Sequence, residues 1–186
     1  MKIKIGRLLV LVGLLLMGCN QLEKNGNTAN LIDEPIKAQN FTLKSLEGAE
    51  VNLKDFKDKF VVIHIATTWC PYCNAEAPHL ENLYQKYKSK NVEVLIIDVK
   101  EAKDLVKEKL KDKFQLSFPI LLDTDGKVAG SFAPSDILPE LERDEIMLAS
   151  NLLIDPDGNI QFMSLLDTKN FDAELVQLQE RLDEIL

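Results

Sequence analysis

Cysteine is scarce in this sequence, and its scarcity excludes a disulfide scaffold. The 186 residues contain three cysteines, Cys19, Cys70 and Cys73. A small secreted fold held by disulfides needs several cysteines spread along the chain. Histidine is scarcer still, with two copies, so a four-ligand zinc site has too few candidate ligands. We therefore expect no resident metal, and the sequence gives no sign of haem, nucleotide or flavin binding.

Positive charge is also in short supply. Lysine and arginine total 22 against 30 acidic residues, and without residues 1–18 only 19 basic side chains remain. Such an acidic chain repels phosphate backbones, so we expect no nucleic-acid binding. Glycine and proline are few, and the 46% apolar and 28% charged content is typical of one globular domain.

Long hydrophobic runs are absent except for one short run near the N-terminus. The run from Leu8 to Met17 follows three basic residues, which is typical of an export signal, and it is short for a full membrane span. The segment Leu16-Met17-Gly18-Cys19 resembles the lipobox of bacterial lipoproteins, which implies cleavage before Cys19 and acylation of that cysteine. We expect residues 1–18 to be a lipoprotein signal peptide and residues 19–39 a flexible, lipid-anchored tether. The alternative is an uncleaved membrane anchor, and either places the domain, residues 40–186, outside the cytoplasm.

The remaining chain alternates between strand and helix patterns. A β-branched apolar run, Phe60 to Ala66, is typical of a strand buried on both faces of a mainly parallel sheet. Short alternating segments on either side of Gly48 predict an N-terminal hairpin. Further strands are predicted at residues 92–99, 118–122, 152–154 and 160–163, and helices at residues 71–90, 104–111 and 171–185. The pattern predicts an α/β fold with a central sheet flanked by helices.

Cys70 and Cys73 lie at the start of the helix that follows the central strand. Pro71 suits the first turn of a helix. The helix dipole and the free N–H groups favour a thiolate, which lowers the pKa of the first cysteine. Cys70 would then attack a partner disulfide, and Cys73 would resolve the mixed disulfide. In an oxidising compartment a lone vicinal pair of this kind predicts redox exchange.

The stretch from Val61 to Pro78, centred on Trp69-Cys70-Pro71-Tyr72-Cys73, resembles the active-site strand and helix of the TlpA/ResA/DsbE-like extracytoplasmic thiol-disulfide oxidoreductases. Matches at residues 118–123 and 153–158 extend the resemblance from about residue 41 to the end. The resemblance implies a thioredoxin-like fold with a mixed central sheet. It also implies site roles for Trp69, Cys70, Cys73 and a helix-kinking Pro78. The dipeptide Pro71-Tyr72 resembles the glutaredoxin centre and bears on the reduction potential.

The same resemblance implies an enzyme that exchanges disulfides with exported proteins. By analogy with ResA-like members, reduction is favoured over oxidation. Candidate substrates are the haem-site cysteines of apocytochrome c and misoxidised secreted proteins. A membrane thiol-disulfide transporter is the implied electron donor.

Three further residues depart from the resemblance or leave alternatives open. Glu76 lies where ResA-like members place an acidic residue, and either relays the proton of Cys73 or is a solvated first-turn glutamate. His64 replaces the Asp of thioredoxins and the usual Asn of TlpA-like proteins, and is either a buried proton acceptor or a structural histidine. Ala149 occupies the position of the substrate-facing cis-proline, where a cis peptide would be costly. An acidic insertion, residues 133–147, precedes it, so we expect unusual partner choice.

Two other functions remain open. Residues 118–132 also resemble peroxiredoxins, which suggests a thiol peroxidase, but the peroxiredoxin nucleophile motif and its Thr-x-x-Cys pocket are not evident. A non-enzymatic binding module or metallochaperone is the other alternative, and the loss of the cis-proline is its main support.

Overall fold

Eight strands form a single mixed sheet within residues 36–186, the part of the chain that the computed structural model describes. The strand order is β1-β8-β7-β4-β5-β6-β2-β3. Strands β4, β5 and β6 run parallel, and the other neighbours are antiparallel. The strands are β1 (Ile36–Lys37), β2 (Thr42–Ser45), β3 (Glu50–Asn52), β4 (Phe60–Ala66), β5 (Val92–Val99), β6 (Ile120–Asp123), β7 (Ser150–Ile154) and β8 (Asn159–Ser164).

Helices cover both faces of this sheet. Those in the described residues are α1 (Pro71–Tyr87), α2 (Lys103–Val106), α3 (Lys127–Ser131), α4 (Arg143–Ile146) and α5 (Val176–Ile185). Helix α2 continues as π-helical turns through Asp112, and 3₁₀ turns occupy Leu53–Phe56 and Lys88–Lys90. One apolar cluster packs α1, α2 and α5 on the sheet, and a second lies under α3 on the opposite face. The α/β fold with a mixed sheet between helices is therefore confirmed.

The N-terminal part of the sheet differs from the expectation at one point. The hairpin of β2 and β3 turns through Gly48, whose φ of 90° is in the region that favours glycine. Ile36 and Lys37, expected to belong to the tether, instead form β1 and pair with Ile160 and Asn159 of β8. Two residues are too few to show a strand period, so the sequence pattern does not reveal this pairing.

The signal peptide and Cys19 lie outside the described residues. Within residues 36–186, no helix combines the length and the apolar content that crossing a membrane requires.

Strand β4 and helix α1 together position the candidate site. Alternate residues of a strand share one face of the sheet, so His64 faces the same side as Val62 and Ala66, the side on which α1 packs. Helix α1 starts five residues after β4 ends and is continuous through Pro78. The site therefore lies where the central strand passes into the first helix.

Candidate active site

The two cysteines cap the N-terminus of α1. Cys70 is the N-cap residue, and the backbone N–H of Cys73 donates to its Sγ over 3.2 Å. Pro71 occupies the first turn, as its fixed φ and missing N–H favour. Both cysteines are buried thiols, whereas the neighbouring Trp69 is 67% exposed. An aromatic side chain thus stands in solvent beside a shielded sulfur pair.

The two thiols have different acidities. The hydrogen bond from the Cys73 side chain lowers the pKa of Cys70 to about 6, with help from the backbone N–H groups of Tyr72 and Cys73 and against the effect of burial. The same interaction, together with burial, raises the pKa of Cys73. At neutral pH the pair therefore consists of a Cys70 thiolate and a Cys73 thiol. This is the arrangement needed for a nucleophile and a resolving cysteine.

Side-chain hydrogen bonds hold the loop that carries Cys70. The Glu101 carboxylate accepts from the Thr68 N–H at 2.5 Å and from the Thr68 hydroxyl at 2.6 Å. The Asn74 amide donates to the carbonyls of Thr68 and Cys70 at 2.8 and 2.7 Å. The loop is therefore tied to the end of β5 on one side and to α1 on the other.

Glu76 lies one helical turn after Cys73 and is buried, with 3% of its surface exposed. The solvated alternative for this residue is therefore wrong. Burial raises the pKa of Glu76 to about 8, Asn151 acts in the opposite direction, and the charges of Asp172 and Cys70 raise it further. Because residues three apart share one helix face, the carboxyl and the Cys73 thiol face the same interior.

His64 is fully buried beneath this carboxyl. Its Nδ1 lies 3.0 Å from Oδ1 of Asn151 and 3.3 Å from Oε2 of Glu76. Burial lowers the pKa of His64 to about 4, although the Asn151 side chain and the Ser150 backbone partly offset that effect. The imidazole is therefore neutral at physiological pH.

A small cavity connects Glu76 to the loop before α5. It has a volume of about 50 Å³, and its lining includes Glu76, Ala149, Asn151, Phe171 and Asp172. This is enough space for ordered water beside a polar wall. Phe171 also packs edge-on against Tyr72 with ring centroids 4.9 Å apart. The loop before α5 thus contacts the Cys70-Pro71-Tyr72-Cys73 segment and covers Glu76.

Ala149 adopts a left-handed conformation at the position expected for a cis-proline. Its φ is 58°, its N–H donates to the Ile65 carbonyl at 2.9 Å, and no peptide bond in residues 36–186 is cis. The preceding insertion is mostly loop and contains the short helix α4. Arg143 donates to carbonyls at Pro134 and Ile137 within that insertion, and Lys100 pairs with Asp144 at 2.7 Å. The insertion is therefore fastened to the loop that follows β5.

A Thr-x-x-Cys spacing is present in the chain, contrary to the expectation, because Thr67 stands three residues before Cys70. The Thr67 hydroxyl is buried and has no hydrogen-bond partner among the described residues. The hydroxyl is therefore not used by any neighbour in this arrangement.

Sequence reasoning missed three residues that the structure brings to the site. Asn151 links His64 to Glu76, Glu101 holds Thr68, and Asp98 is buried near Glu101 with its pKa raised to about 8, chiefly by burial. Asp98 and Asn151 are polar residues within apolar strand runs, which is the signal that could have found them. Glu101 lies in a loop and gave no such signal.

A resident metal site was not expected, and the described residues contain no cluster of three His, Cys, Asp or Glu side chains able to hold an ion.

The fold and the dithiol that caps α1 define the class of protein: a thioredoxin-like protein with a helix-capping cysteine pair. Residues 36–163 match the AhpC/TSA family, and the chain belongs to that family.

Curated relatives and solved structures agree with this class. The thiol-disulfide oxidoreductase ResA of Bacillus cereus is 38% identical over 97 residues, which cover 52% of this chain and 56% of the relative. ResA of Bacillus subtilis is 35% identical over 106 residues, which cover 57% and 59%. The chain thus spans somewhat more than half the length of these relatives.

Two solved structures share the fold. A secreted Mycobacterium tuberculosis disulfide oxidoreductase homologous to E. coli DsbE matches with a TM-score of 0.62 and 23% identity, covering 78% of this chain and 96% of that one. A DsbF homologue from Corynebacterium diphtheriae matches with a TM-score of 0.68 and 19% identity, covering 87% and 96%. At these identities the likeness concerns the fold alone.

Proposed function

We propose that this protein is an extracytoplasmic, membrane-tethered thiol-disulfide oxidoreductase that reduces disulfides in exported proteins. The observation that carries the proposal is the unequal thiol pair at the N-terminus of α1: a Cys70 with pKa of about 6 beside a Cys73 with a raised pKa. Relatives named thiol-disulfide oxidoreductase support the same activity.

The reaction proceeds in two exchange steps. The Cys70 thiolate attacks one sulfur of the substrate disulfide, forms a mixed disulfide and releases the other sulfur as a thiolate. Cys73 then loses its proton and attacks Cys70, which releases the second substrate sulfur. Two electrons pass from the cysteine pair to the substrate, whose sulfurs leave as thiols, and Cys70 and Cys73 remain as a disulfide.

Glu76 is the group that exchanges a proton with Cys73 in the second step. A general base works best when its pKa is near the working pH, and the pKa of about 8 at Glu76 meets that condition. The cavity beside Glu76 offers water as the route by which its proton reaches solvent. Trp69, exposed next to the shielded sulfurs, offers an apolar contact for the substrate chain.

The partners follow from the chemistry and the compartment. Exported protein disulfides are the substrate class, with the haem-site cysteines of apocytochrome c as a candidate. A membrane thiol-disulfide transporter is the proposed electron donor, since a reductant outside the cytoplasm must be recharged. The export signal and the lipobox-like Cys19 support this location.

The direction of the reaction is tested by the reduction potential of the Cys70–Cys73 couple. The protein is equilibrated with glutathione or dithiothreitol buffers, and the free thiols are trapped. A reversible couple supports a reductase if its potential lies well below that of glutathione, which is about −220 mV. A potential near that of a strong oxidant, about −120 mV, would instead indicate disulfide insertion. A pair that cannot cycle would contradict any oxidoreductase.

The lipid anchor is tested separately. We expect the full-length chain, expressed in a bacterium fed with a labelled fatty acid, to incorporate the label and to fractionate with membranes. Cys19→Ser should lose the label, while Cys70→Ser, which keeps the lipobox-like segment intact, should retain it. Labelling of the Cys19→Ser chain would contradict the anchor.

A thiol peroxidase is the second candidate, favoured by the AhpC/TSA family membership and by Thr67 three residues before Cys70. It predicts that hydrogen peroxide oxidises reduced Cys70 far faster than an ordinary thiolate of the same pKa. Oxidation no faster than that of free thiolate, together with rapid exchange with protein disulfides, would exclude it.

A further inference from the structure

A ring of three buried side chains lies beneath the cysteine pair. Asn151 donates from Nδ2 to Oε1 of Glu76 at 3.1 Å, and its Oδ1 lies 3.0 Å from Nδ1 of His64. That same Nδ1 lies 3.3 Å from Oε2 of Glu76, which closes the ring. His64 and Asn151 are directly paired residues of antiparallel strands β4 and β7, so the sheet itself fixes their contact.

We infer that His64 is a positioning residue for the disulfide exchange: through its Nδ1–H, and together with Asn151, it holds the Glu76 carboxylate in place to take the proton of Cys73. The inference rests on the proposed function and assigns a role to the residue that stands in place of the Asn usual in TlpA-like proteins.

The ring determines which nitrogen of His64 carries the proton. Because the Asn151 amide nitrogen donates to Glu76, its oxygen faces His64 and needs a donor there. Nδ1 must therefore be protonated. Nε2 is buried with no hydrogen-bond partner among the described residues, which makes it a poor place for a proton. The neutral imidazole with hydrogen on Nδ1 is the one form that fits.

This tautomer acts on Glu76 through Asn151. The Nδ1–H of His64 donates to Oδ1 of Asn151, which turns the amide so that its Nδ2 donates to Oε1 of Glu76. That hydrogen bond favours the ionised carboxylate, which is the form that accepts a proton from Cys73. Oε2 of Glu76, 3.3 Å from Nδ1, is buried with no hydrogen-bond partner among the described residues. Without the Nδ1–H, the Asn151 amide would lose its fixed orientation and the carboxyl would keep its proton to higher pH.

The groups that face Glu76 come from four elements. Cys70 and Cys73 belong to the start of α1, His64 to β4, Asn151 to β7 and Asp172 to the loop before α5. Asp172 and the Cys70 thiolate both oppose ionisation of Glu76 by their negative charge. Of this set, Asn151 favours the ionised carboxylate, and His64 acts by orienting Asn151.

The resolving step can be observed directly with a chromogenic aromatic disulfide, 5,5′-dithiobis(2-nitrobenzoic acid). The reduced full-length chain carrying Cys19→Ser releases one thionitrobenzoate when Cys70 attacks and a second when Cys73 resolves the mixed disulfide. Stopped-flow absorbance from pH 5 to pH 9 gives each phase its own pH profile.

We expect His64→Leu, which has no donor, to slow the second phase about tenfold at pH 7 and to move its midpoint upward by about one pH unit. His64→Gln, which keeps an amide donor but cannot titrate, should remain within about threefold of the parent. Once Glu76→Gln is present, adding His64→Leu should slow the second phase no further. The inference would be overturned if His64→Leu slowed the second phase equally with Glu76 and with Gln at position 76. It would also be overturned if the pH profile of the second phase in His64→Leu matched that of the parent.

A measurement on the unaltered side chain covers the case in which a variant does not fold. The chain has two histidines, so the imidazole ¹⁵N shifts of His64 can be assigned by comparison with His79→Gln. We expect the neutral form with the proton on Nδ1, and a proton on Nε2 would overturn the inference. Absence of the second phase in the parent would contradict the proposed function itself, whereas a normal parent with an insensitive His64→Leu would contradict only the role of His64.

Discussion

At the scale of single residues, the chemistry depends on one sulfur stabilising another. Cys70 caps the helix and accepts hydrogen bonds from the Cys73 backbone N–H and the Cys73 thiol, which favour its charge. None of the causes that lower its pKa is a basic side chain of residues 36–186. The cost falls on Cys73, whose proton becomes hard to remove. A nearby carboxyl with a pKa of about 8 compensates for that difficulty.

The acidity of Cys70 gives the first prediction. The rate of alkylation of the reduced protein by iodoacetamide should rise through an inflection near pH 6. Cys73→Ala removes the largest cause of the lowered pKa, so the inflection should move to higher pH. All variants carry Cys19→Ser, and in Cys70→Ala the buried Cys73 should react only at more alkaline pH. An inflection near pH 6 that survives in Cys73→Ala would contradict this account.

The left-handed conformation of Ala149 gives the second prediction. A residue with a Cβ is strained at a φ of 58°, and glycine, which has no Cβ, is not. Ala149→Gly should therefore raise the free energy of unfolding by about 1 kcal/mol. Ala149→Pro should lower it, because proline fixes φ near −65° and removes the N–H that Ile65 accepts.

The matched control is Ala75→Gly, an exposed position inside α1, which should cost about 1 kcal/mol. Urea unfolding curves of the three variants check both signs. A loss of stability in Ala149→Gly equal to that in Ala75→Gly would show that position 149 is not strained.

At the scale of elements, the site is assembled by loops that are fastened to the ends of strands. Glu101, just beyond β5, accepts two hydrogen bonds from Thr68, in the loop between β4 and α1. Tyr72 at the start of α1 packs on Phe171 before α5. The N-terminus of α1 is therefore held by Glu101 on the loop that precedes the helix and by Phe171 on its first turn.

Loss of the Glu101 contact gives the third prediction. Hydrogen bonds to a charged group contribute about 1.5–3 kcal/mol in buried settings, and this one is half-buried, so Glu101→Ala should lower the unfolding free energy by about 1–2 kcal/mol. Amide hydrogen exchange at residues 67–70 should also become faster. Glu108→Ala, which removes an exposed ion pair with Lys109, serves as the control and should change stability by less than about 0.5 kcal/mol.

Local patterns account for the elements predicted correctly. The β-branched run of β4, the proline after Cys70 and the turn at Gly48 each act within a few residues, so they can be recognised without the fold. The beginning of α5 could not be recognised in this way. The helix starts at Val176, five residues later than expected. Phe171, in the loop before it, packs against Tyr72, about a hundred positions away in the sequence.

The ring of His64, Asn151 and Glu76 was beyond sequence reasoning for the same reason. Asn151 lies 87 residues from His64 and meets it because β7 pairs with β4 in one particular register. The burial of Glu76 depends on that neighbour and on the loop before α5. Single positions could be nominated from the sequence, but their contacts required the sheet order.

At the scale of the whole molecule, buried titrating groups set how stability depends on pH. The pKa values of Glu76 and Asp98 are raised to about 8, so the native protein retains two protons that the unfolded chain loses near pH 4. Stability from these groups is complete below pH 4 and is lost as pH rises towards 8. His64 acts oppositely: its lowered pKa costs stability as pH falls below about 6.5.

The fourth prediction uses the oxidised protein carrying Cys19→Ser, in which no cysteine thiol titrates. Between pH 6.5 and pH 8 its unfolding free energy should fall with rising pH. Glu76→Gln and Asp98→Asn should each reduce that slope, by at most about 1.4 kcal/mol per pH unit. Urea titrations at several pH values measure the slope, with the exposed Glu108→Gln as a control that leaves it unaltered. A slope that neither buried substitution changes would contradict the assigned pKa values.

The two ends of the sheet have a consequence for how copies of the chain behave when crowded. Strand β1 has two residues and β3 has three, and they include the charged Lys37 and Glu50. Short, charged outer strands present little unpaired backbone for another molecule to extend. Many copies held close together should therefore resist stacking into fibrils, even though each contains long apolar strands at its centre.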